Sequence, residues 1–259
     1  MDSTHIWIPD PQLTPGEPVD QMEWAGRYIA ENYDRKNVTV INGGDHYNLG
    51  SLSSYDRKGG VLMEGQRLTD DIEVGDVGWD LLSEPMHRMK RKPRKVALRG
   101  NHEERLYRFM RDDATFDGSW DLDYAEAWGW EIHEYLEPVI IDGIAYAHYF
   151  YNEGSGRPYT GEIPGRLAKI GMSFTQGHQQ GLRFGLRSTV GGRQYGLVAG
   201  SFYIHEEAYR GPQQRDEWRG IVVCHQVEEG AYDPMFVSLD FLCRRFTGLT
   251  LADWKRDHS

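Results

Sequence analysis

The sequence predicts an α/β fold, and three observations carry that reading. Strand, loop and helix patterns follow one another three times in the first half, each of those strands ends in a polar loop, and the second half carries Asp-Gly and Gly-Gly hairpin signals. Residues 4–8 read as a strand in which Ile6 and Ile8 alternate with His5 and Trp7, closed by Pro9-Asp10-Pro11 because proline cannot continue the pairing. A helix follows Pro18, where Val19, Met22, Gly26, Ile29 and Tyr33 fall three or four apart on one stripe, with Asp20 in the first turn. Residues 37–41 form a second strand that runs into Asn42-Gly43-Gly44-Asp45, where paired glycines permit a sharp turn. A helix over 71–89, a basic linker, a strand over 95–98, the loop Gly100-Asn101-His102 and a helix over 103–111 repeat the beat. Strands over 137–141 and 144–148 flank Asp142-Gly143, and a similar arrangement around Gly191-Gly192 precedes 195–202. A last strand pair, 220–227 and 235–242, is split by a turn at 230–234. Surface loops are expected at 50–70, 152–164 and 210–216, all rich in Gly, Ser, Pro or charge.

The 259 residues suffice for one large domain, so a single domain over 1–259 is expected. With 8 Trp, 15 Tyr and 9 Phe the chain is too aromatic to be disordered. Lys and Arg total 29 against 40 Asp and Glu; a net charge of -11 repels phosphate backbones, so an anionic substrate must be gripped locally. The apolar stretches fall short of a spanning helix and Met1-Asp2-Ser3 starts no basic leader, so a soluble cytoplasmic protein without a membrane partner is expected. Cys224 and Cys243 lack zinc-site spacing and default to two reduced thiols.

In α/β sheets the ligand crevice lies beyond the carboxyl ends of the strands. Asp10 and Gln12 follow the first strand, Asp45 to Asn48 the second and Asn101 to Glu103 the third; His148 closes a hairpin strand, and Gly177-His178-Gln179-Gln180 follows a strand over 173–176. Taken singly, Asp and Asn favour turns and a solitary His is usually just hydrogen-bonded. Together these strand ends deliver Asp, Asp, Asn, His and His, the donors of a hard-to-borderline metal site.

The order of Gly-Asp, Gly-Asn-His-Glu, a lone strand-end His and Gly-His-x-x resembles the calcineurin-like metallophosphoesterase superfamily, from Ile6 to about Phe202. The family's Asp-x-His is here Asp10-Pro11-Gln12, and its Gly-Asp-x-x-Asp is Gly44-Asp45-His46-Tyr47-Asn48. Its Gly-Asn-His-Asp/Glu is Gly100-Asn101-His102-Glu103, and its Gly-His-x-His is Gly177-His178-Gln179-Gln180. The opening His-Ile-Trp-Ile-Pro-Asp-Pro-Gln and the Gly-His-Gln-Gln are similar to a branch found among bacteriophage and prophage genes, which would place the protein in a host cytoplasm. The resemblance implies a four-layer α/β/β/α sandwich of two mixed sheets with two divalent ions at one edge. It further implies that Asp45 bridges both ions, that Asn101, His148 and His178 complete one site, and that Asp10, Gln12 and Gln180 complete the other.

At that second site the sequence departs from the family, because Gln12 and Gln180 stand where histidines are expected. A glutamine amide binds through a neutral, hard oxygen, so manganese is expected ahead of magnesium, iron or zinc, with the second ion held more loosely. Asn48 is a third departure, replacing the carboxylate that orients the family's Gly-Asn-His histidine. A neutral partner cannot raise the His102 pKa by Coulomb attraction, so His102 is expected to be a poor acid that Asn48→Asp would restore. His46, next to Asp45, could contribute a donor in its place but reads first as an ordinary loop residue.

By resemblance the reaction is hydrolysis of a phosphate ester by a water that the two ions activate, with Asp45, Asn48 and His102 as the catalytic set. Phosphodiesters and activated esters are favoured, since good leaving groups need no acid; a nucleotide or nucleic acid is a candidate substrate. Arg105, Arg157, Tyr159 and Arg183 adjoin the metal motifs and are candidates to grip the phosphate. The basic run Lys90-Arg91-Lys92-Pro93-Arg94-Lys95 precedes the strand whose far end carries Asn101, so it belongs at the opposite sheet edge as a solvated helix end. The rival reading is a metal-binding protein that holds a phosphate-containing ligand with weakened turnover. Intact Asp10, Asp45, Asn101, His102, His148 and His178 favour an enzyme.

Overall fold

Residues 3–53, 64–206 and 217–258 are described by the computed structural model. They run β1 (Ser3–Ile8), α1 (Asp20–Tyr33), β2 (Asn37–Asn42), α2 (Leu68–His87), β3 (Arg94–Leu98), α3 (Glu103–Asp112), β4 (Glu131–His133), β5 (Val139–Ile141), β6 (Ile144–Ala147), α4 (Ile163–Ile170), β7 (Ser173–Gln176), β8 (Arg183–Thr189), β9 (Gly192–Val198), β10 (Gly220–Glu228), β11 (Ala231–Ser238), α5 (Leu239–Thr247) and α6 (Leu251–Asp257). The fold is α/β with two mixed sheets and, among the described residues, six α-helices. In the six-stranded sheet, ordered β11-β10-β1-β2-β3-β4, the strands β1 to β4 are parallel and β10 and β11 antiparallel. In the five-stranded sheet, ordered β5-β6-β7-β9-β8, β6, β7 and β9 are parallel and both edge strands antiparallel. The polar motifs therefore follow parallel strands, whose carboxyl ends share one edge in each sheet.

Strand β1 is buried along its whole length, and its alternation separates two cores. Ile6 and Ile8 cluster with Met22, Ile29 and Leu82 of α1 and α2. Trp7 clusters with Ile41, Val96, Ile144, Tyr146 and Leu197, joining the two sheets. A third cluster sets Ile163 and Leu167 of α4 against Phe174 and Val198 of the smaller sheet. The Asp142-Gly143 turn joins β5 to β6 with both residues left-handed, φ +48° and +82°, as a tight hairpin requires.

The last strand pair needs correcting. Glu229 and Gly230, at φ +48° and +85°, make its turn, and residues 231–234 lie inside β11. Pro234 is tolerated there because β11 is an edge strand. The strand expected to reach residue 242 stops at Ser238, whose hydroxyl accepts from the Phe241 N–H at 3.1 Å and caps α5. Neither β4, only three residues long, nor α4, which carries Pro164 and Gly165, has a counterpart in the sequence reading. Loop 210–216 and stretch 54–63 of the loop at 50–70 lie outside the described residues; the remaining loops are shortened by α2 and α4.

The basic run lies at the amino end of β3, away from Asn101, but it is not wholly solvated. Arg94 pairs with Glu131 at 2.7 Å, and Lys95 is buried with its ammonium donating to the Trp128 carbonyl. Among the described residues no helix is long and apolar enough to cross a membrane.

Candidate metal centre

The loops after β2 and β3 meet so closely at the carboxyl edge that only glycine fits between them. A Cβ on Gly100 would fall 2.1 Å from Asp45 Oδ1, and one on Gly44, at φ +88°, would fall 2.8 Å from the Gly100 nitrogen. The loops after β1 and β2 are zipped by main-chain bonds from Gln12 N–H to the Asp45 carbonyl at 2.7 Å and from Leu13 N–H to the His46 carbonyl at 2.9 Å. Glu103, fully buried at the start of α3, accepts from the N–H groups of Tyr47 at 3.0 Å, Asp45 at 3.0 Å and Gly100 at 2.7 Å. It thus clamps the Asp45 loop to the Asn101 loop. The sequence shows Glu103 only as the last letter of its motif; an acid in the first turn of a helix that follows a glycine loop was the available signal.

Ligand atoms of Asp45, His148 and His178 all lie within 4.8 Å of one another, a cluster that could hold a metal ion. His148 Nδ1 donates to the Gly43 carbonyl at 2.9 Å, which turns Nε2 inward. There Nε2 stands 3.0 Å from Asn101 Oδ1 and 3.3 Å from Asp45 Oδ2. Anchoring one ring nitrogen on a carbonyl so that the other faces oxygen donors is how proteins orient a metal-binding histidine. Asp45 Oδ1 is meanwhile fixed by the His102 N–H at 2.9 Å. Burial tends to raise the Asp45 pKa, but the adjoining histidines, His102 and His148, hold it well below the usual carboxylate range.

Asp10 and His178 share the same crevice. The His178 N–H donates to Asp10 Oδ1 at 3.1 Å, while Asp10 Oδ2 is buried without a hydrogen-bond partner among the described residues. Burial, and then the charge of Asp45, pushes the Asp10 pKa up to about 8 against the pull of His148. An orphaned, buried carboxyl oxygen that feels the charge of a second carboxylate is a position that a cation would satisfy. Gln12 and Gln180 also meet, but on each other: Gln180 Nε2 donates to Gln12 Oε1 at 3.3 Å, and Gln180 Oε1 accepts from the Tyr203 hydroxyl at 2.9 Å. The Tyr203 hydroxyl also bonds Glu217, itself paired with Arg219 at 3.1 Å, so the amides end a polar chain reaching outward.

Five of the ten non-glycine residues with left-handed backbone, among the described residues, fall in this crevice. Asp10, Gln12, Asp45, His178 and Gln180 have φ between +34° and +65°, a region that costs a side-chain-bearing residue about 1–2 kcal/mol. Such conformations persist where the surrounding structure over-determines them.

The surroundings of His102 correct one expectation. The ring meets Asn48 through the main chain, with Nδ1 donating to the Asn48 carbonyl at 2.8 Å, while the Asn48 side chain turns away to Thr14 Oγ1 at 2.8 Å. Arg105 donates to His102 Nε2 at 2.9 Å and to the Asn48 carbonyl at 3.1 Å. Burial first, and then the Arg105 charge, lower the His102 pKa, outweighing Asp45. Asn48→Asp should therefore move the His102 imidazole titration less than Arg105→Ala, which should raise it; proton NMR of the ring is the check. A larger rise in Asn48→Asp would put the side chain back beside the ring.

Of the four candidates for gripping phosphate, Arg105 alone is bonded to a residue of the metal motifs by its side chain. Tyr159 binds the Gln179 side chain through its carbonyl at 3.4 Å, and Arg157 and Arg183 are exposed on their segments. His46 serves structure: it stacks on Trp79 at 3.8 Å and bonds Asn42 and the Gly75 carbonyl. The sequence reading missed Tyr149, whose ring lies 4.7 Å from that of His178 and whose hydroxyl bonds Tyr135. Its position directly after His148 was the only signal. No family model matches the chain, and no curated protein matches it.

Proposed function

We propose that the protein is a divalent-metal-dependent phosphoesterase of the calcineurin-like kind, acting on phosphodiesters. The observation that carries this is the convergence of Asp45 Oδ2 and Asn101 Oδ1 on His148 Nε2, with His178 beside them. The separate cores on the two faces of β1, with α4 against the outer face of the smaller sheet, support reading the fold as α/β/β/α layers.

The residues fit the group. Asp45, Asn101, His148 and His178 would hold one ion; Asp10 with Asp45, Gln12 and Gln180 would hold a second more loosely, since both amides must first give up their bonds to each other. The all-oxygen donors of the second site favour manganese or magnesium. When bound, such ions supply Lewis acidity, activating a water and neutralising charge on the phosphoryl oxygens. The chain's own part falls to Arg105 and His102. The described bonds of the Arg105 side chain go to a carbonyl and a ring nitrogen, none to a carboxylate, so its guanidinium retains donors for a phosphoryl oxygen. As Arg105 turns to the phosphate it uncovers His102 Nε2, while the Asn48 carbonyl keeps the ring oriented through Nδ1.

The arrangement around His102 favours good leaving groups, because burial and the neighbouring Arg105 charge lower the pKa of the ring, so fewer molecules carry the proton that a poor leaving group needs. The same observation supports a second reading, a binder of phosphate esters with little turnover. Assaying chelator-stripped protein with and without manganese on bis(para-nitrophenyl) phosphate, then on esters of rising leaving-group pKa, separates the two. Metal-dependent turnover that falls steeply with leaving-group pKa is expected. Binding without turnover on the most activated ester favours the second reading, and neither binding nor turnover with any divalent ion defeats both.

A further inference from the structure

Beside β5, on the outer face of the smaller sheet, a cavity of about 360 Å³ opens between the strands and the segment leading into α4. Its lining includes Ile140, Tyr149, Phe150, Tyr151 and Tyr159. Ile140 leaves 62 % of its surface exposed there, while Phe150 packs back against Phe174 in the core. Glu153 and Lys169 are its charged lining residues, and the Lys169 ammonium lies over the Tyr159 ring at 5.2 Å.

Tyr149 lies between the cavity and the candidate metal centre. That residue directly follows His148, and its ring stands 4.7 Å from the His178 ring and 5.7 Å from the His148 ring. The Tyr135 hydroxyl fixes its orientation. One ring thus serves as the wall of the candidate metal site and of the cavity. Ligand pockets begin at about 300 Å³, so the space suits one or two rings rather than a long chain. Aromatic walls favour a flat partner through stacked and edge-on contacts.

We propose that this cavity is the subsite for a flat aromatic group carried by the phosphate ester, of which a nucleobase is one biological form. The inference rests on the phosphoesterase reading for the position of the phosphate, and it makes the aromatic group the determinant of specificity. A phosphate held at His148 and His178 would lie beside the Tyr149 ring, 4.7 Å from that of His178, and Tyr149 is the residue shared with the cavity lining.

The test compares phenyl para-nitrophenyl phosphate with methyl para-nitrophenyl phosphate, which release the same leaving group. The manganese-loaded protein is expected to favour the phenyl ester in kcat/KM by about tenfold, the scale of a small apolar contact in a pocket. Ile140→Asp, a change at an exposed position, should bring that ratio near parity by setting a carboxylate in the cavity. A second readout is calorimetric binding of phenylphosphonate against methylphosphonate. Equal hydrolysis with equal binding overturns the cavity inference and leaves the phosphoesterase standing. If neither ester is cleaved but phenylphosphonate is preferred and Ile140→Asp removes the preference, the cavity stands and the phosphoesterase reading falls. A phenyl preference that survives Ile140→Asp places the aromatic group elsewhere and overturns the inference. So does a dimer in sedimentation that Ile140→Asp dissociates, which assigns the face to a second copy.

Discussion

Truncation of Glu103 to alanine should destabilise the fold by roughly 3–6 kcal/mol, since each buried donor left without a partner costs about 1–3 kcal/mol. Three main-chain N–H groups, those of Asp45, Tyr47 and Gly100, depend on its two oxygens. Part of the loss is offset: burial and the Asp45 charge both raise the Glu103 pKa, so the native carboxylate is itself under electrostatic stress. Glu103→Gln keeps one acceptor, relieves that repulsion and should fall between wild type and Glu103→Ala. Urea denaturation of the three proteins decides it. A Glu103→Ala variant within about 0.5 kcal/mol of wild type, the usual range for a surface change, would show that the clamp is dispensable.

His148→Ala should have the second large effect, and it should depend on pH and on metal. In the metal-free protein, burial works to lower the His148 pKa, but the Asp45 charge 3.3 Å from Nε2 outweighs it, helped by Asp10 and the Gly43 carbonyl, and raises it from 6.5 to about 10. A raised folded-state pKa gives stability that is complete below the unfolded value and lost as pH climbs through the folded one. The His148 contribution should thus fade between 6.5 and about 10. Asp10, raised from 3.8 to about 8, adds a loss of the same sign over its own window. Metal-free wild type should therefore weaken steadily from mildly acid to alkaline pH. Removing His148 breaks a buried pair, a change worth about 3–5 kcal/mol, and should flatten the alkaline part of that decline. A bound cation would take over the role of the departing protons, so added manganese should stabilise wild type most at alkaline pH and His148→Ala hardly at all.

Much of this centre is legible in the sequence, because strand-end motifs sit where a parallel sheet must deliver them. Asp45, Asn101, His148 and His178 needed only the positions of β2, β3, β6 and β7 to be brought together. The Asn48 side chain was not legible. Spacing from Asp45 places residue 48 near His102, but which atom faces the ring is set by the following peptide plane, and Leu49 at φ +50° turns the carbonyl inward. Arg105 stands three residues after His102 on a helix start, a separation that brings side chains together, and that spacing could have revealed its cap on Nε2. The mutual bond of Gln12 and Gln180 could not be read, since each is equally good as a ligand and as a partner for the other. In the fold, the two-residue turn at Glu229-Gly230 was hidden by a more conspicuous Pro234, which an edge strand tolerates.

The most direct measurement of the central claim is a calorimetric titration of manganese into chelator-stripped protein, in two buffers of different ionisation enthalpy, for wild type and His148→Ala. The account predicts a tight site followed by a weaker one in wild type. Protons should be released on filling because His148 Nε2 and Asp10 must give theirs up, and the tight site should be absent in His148→Ala. No binding in wild type, or tight binding with no proton release that persists in His148→Ala, would contradict the assignment of Asp45, Asn101, His148 and His178 as a metal centre.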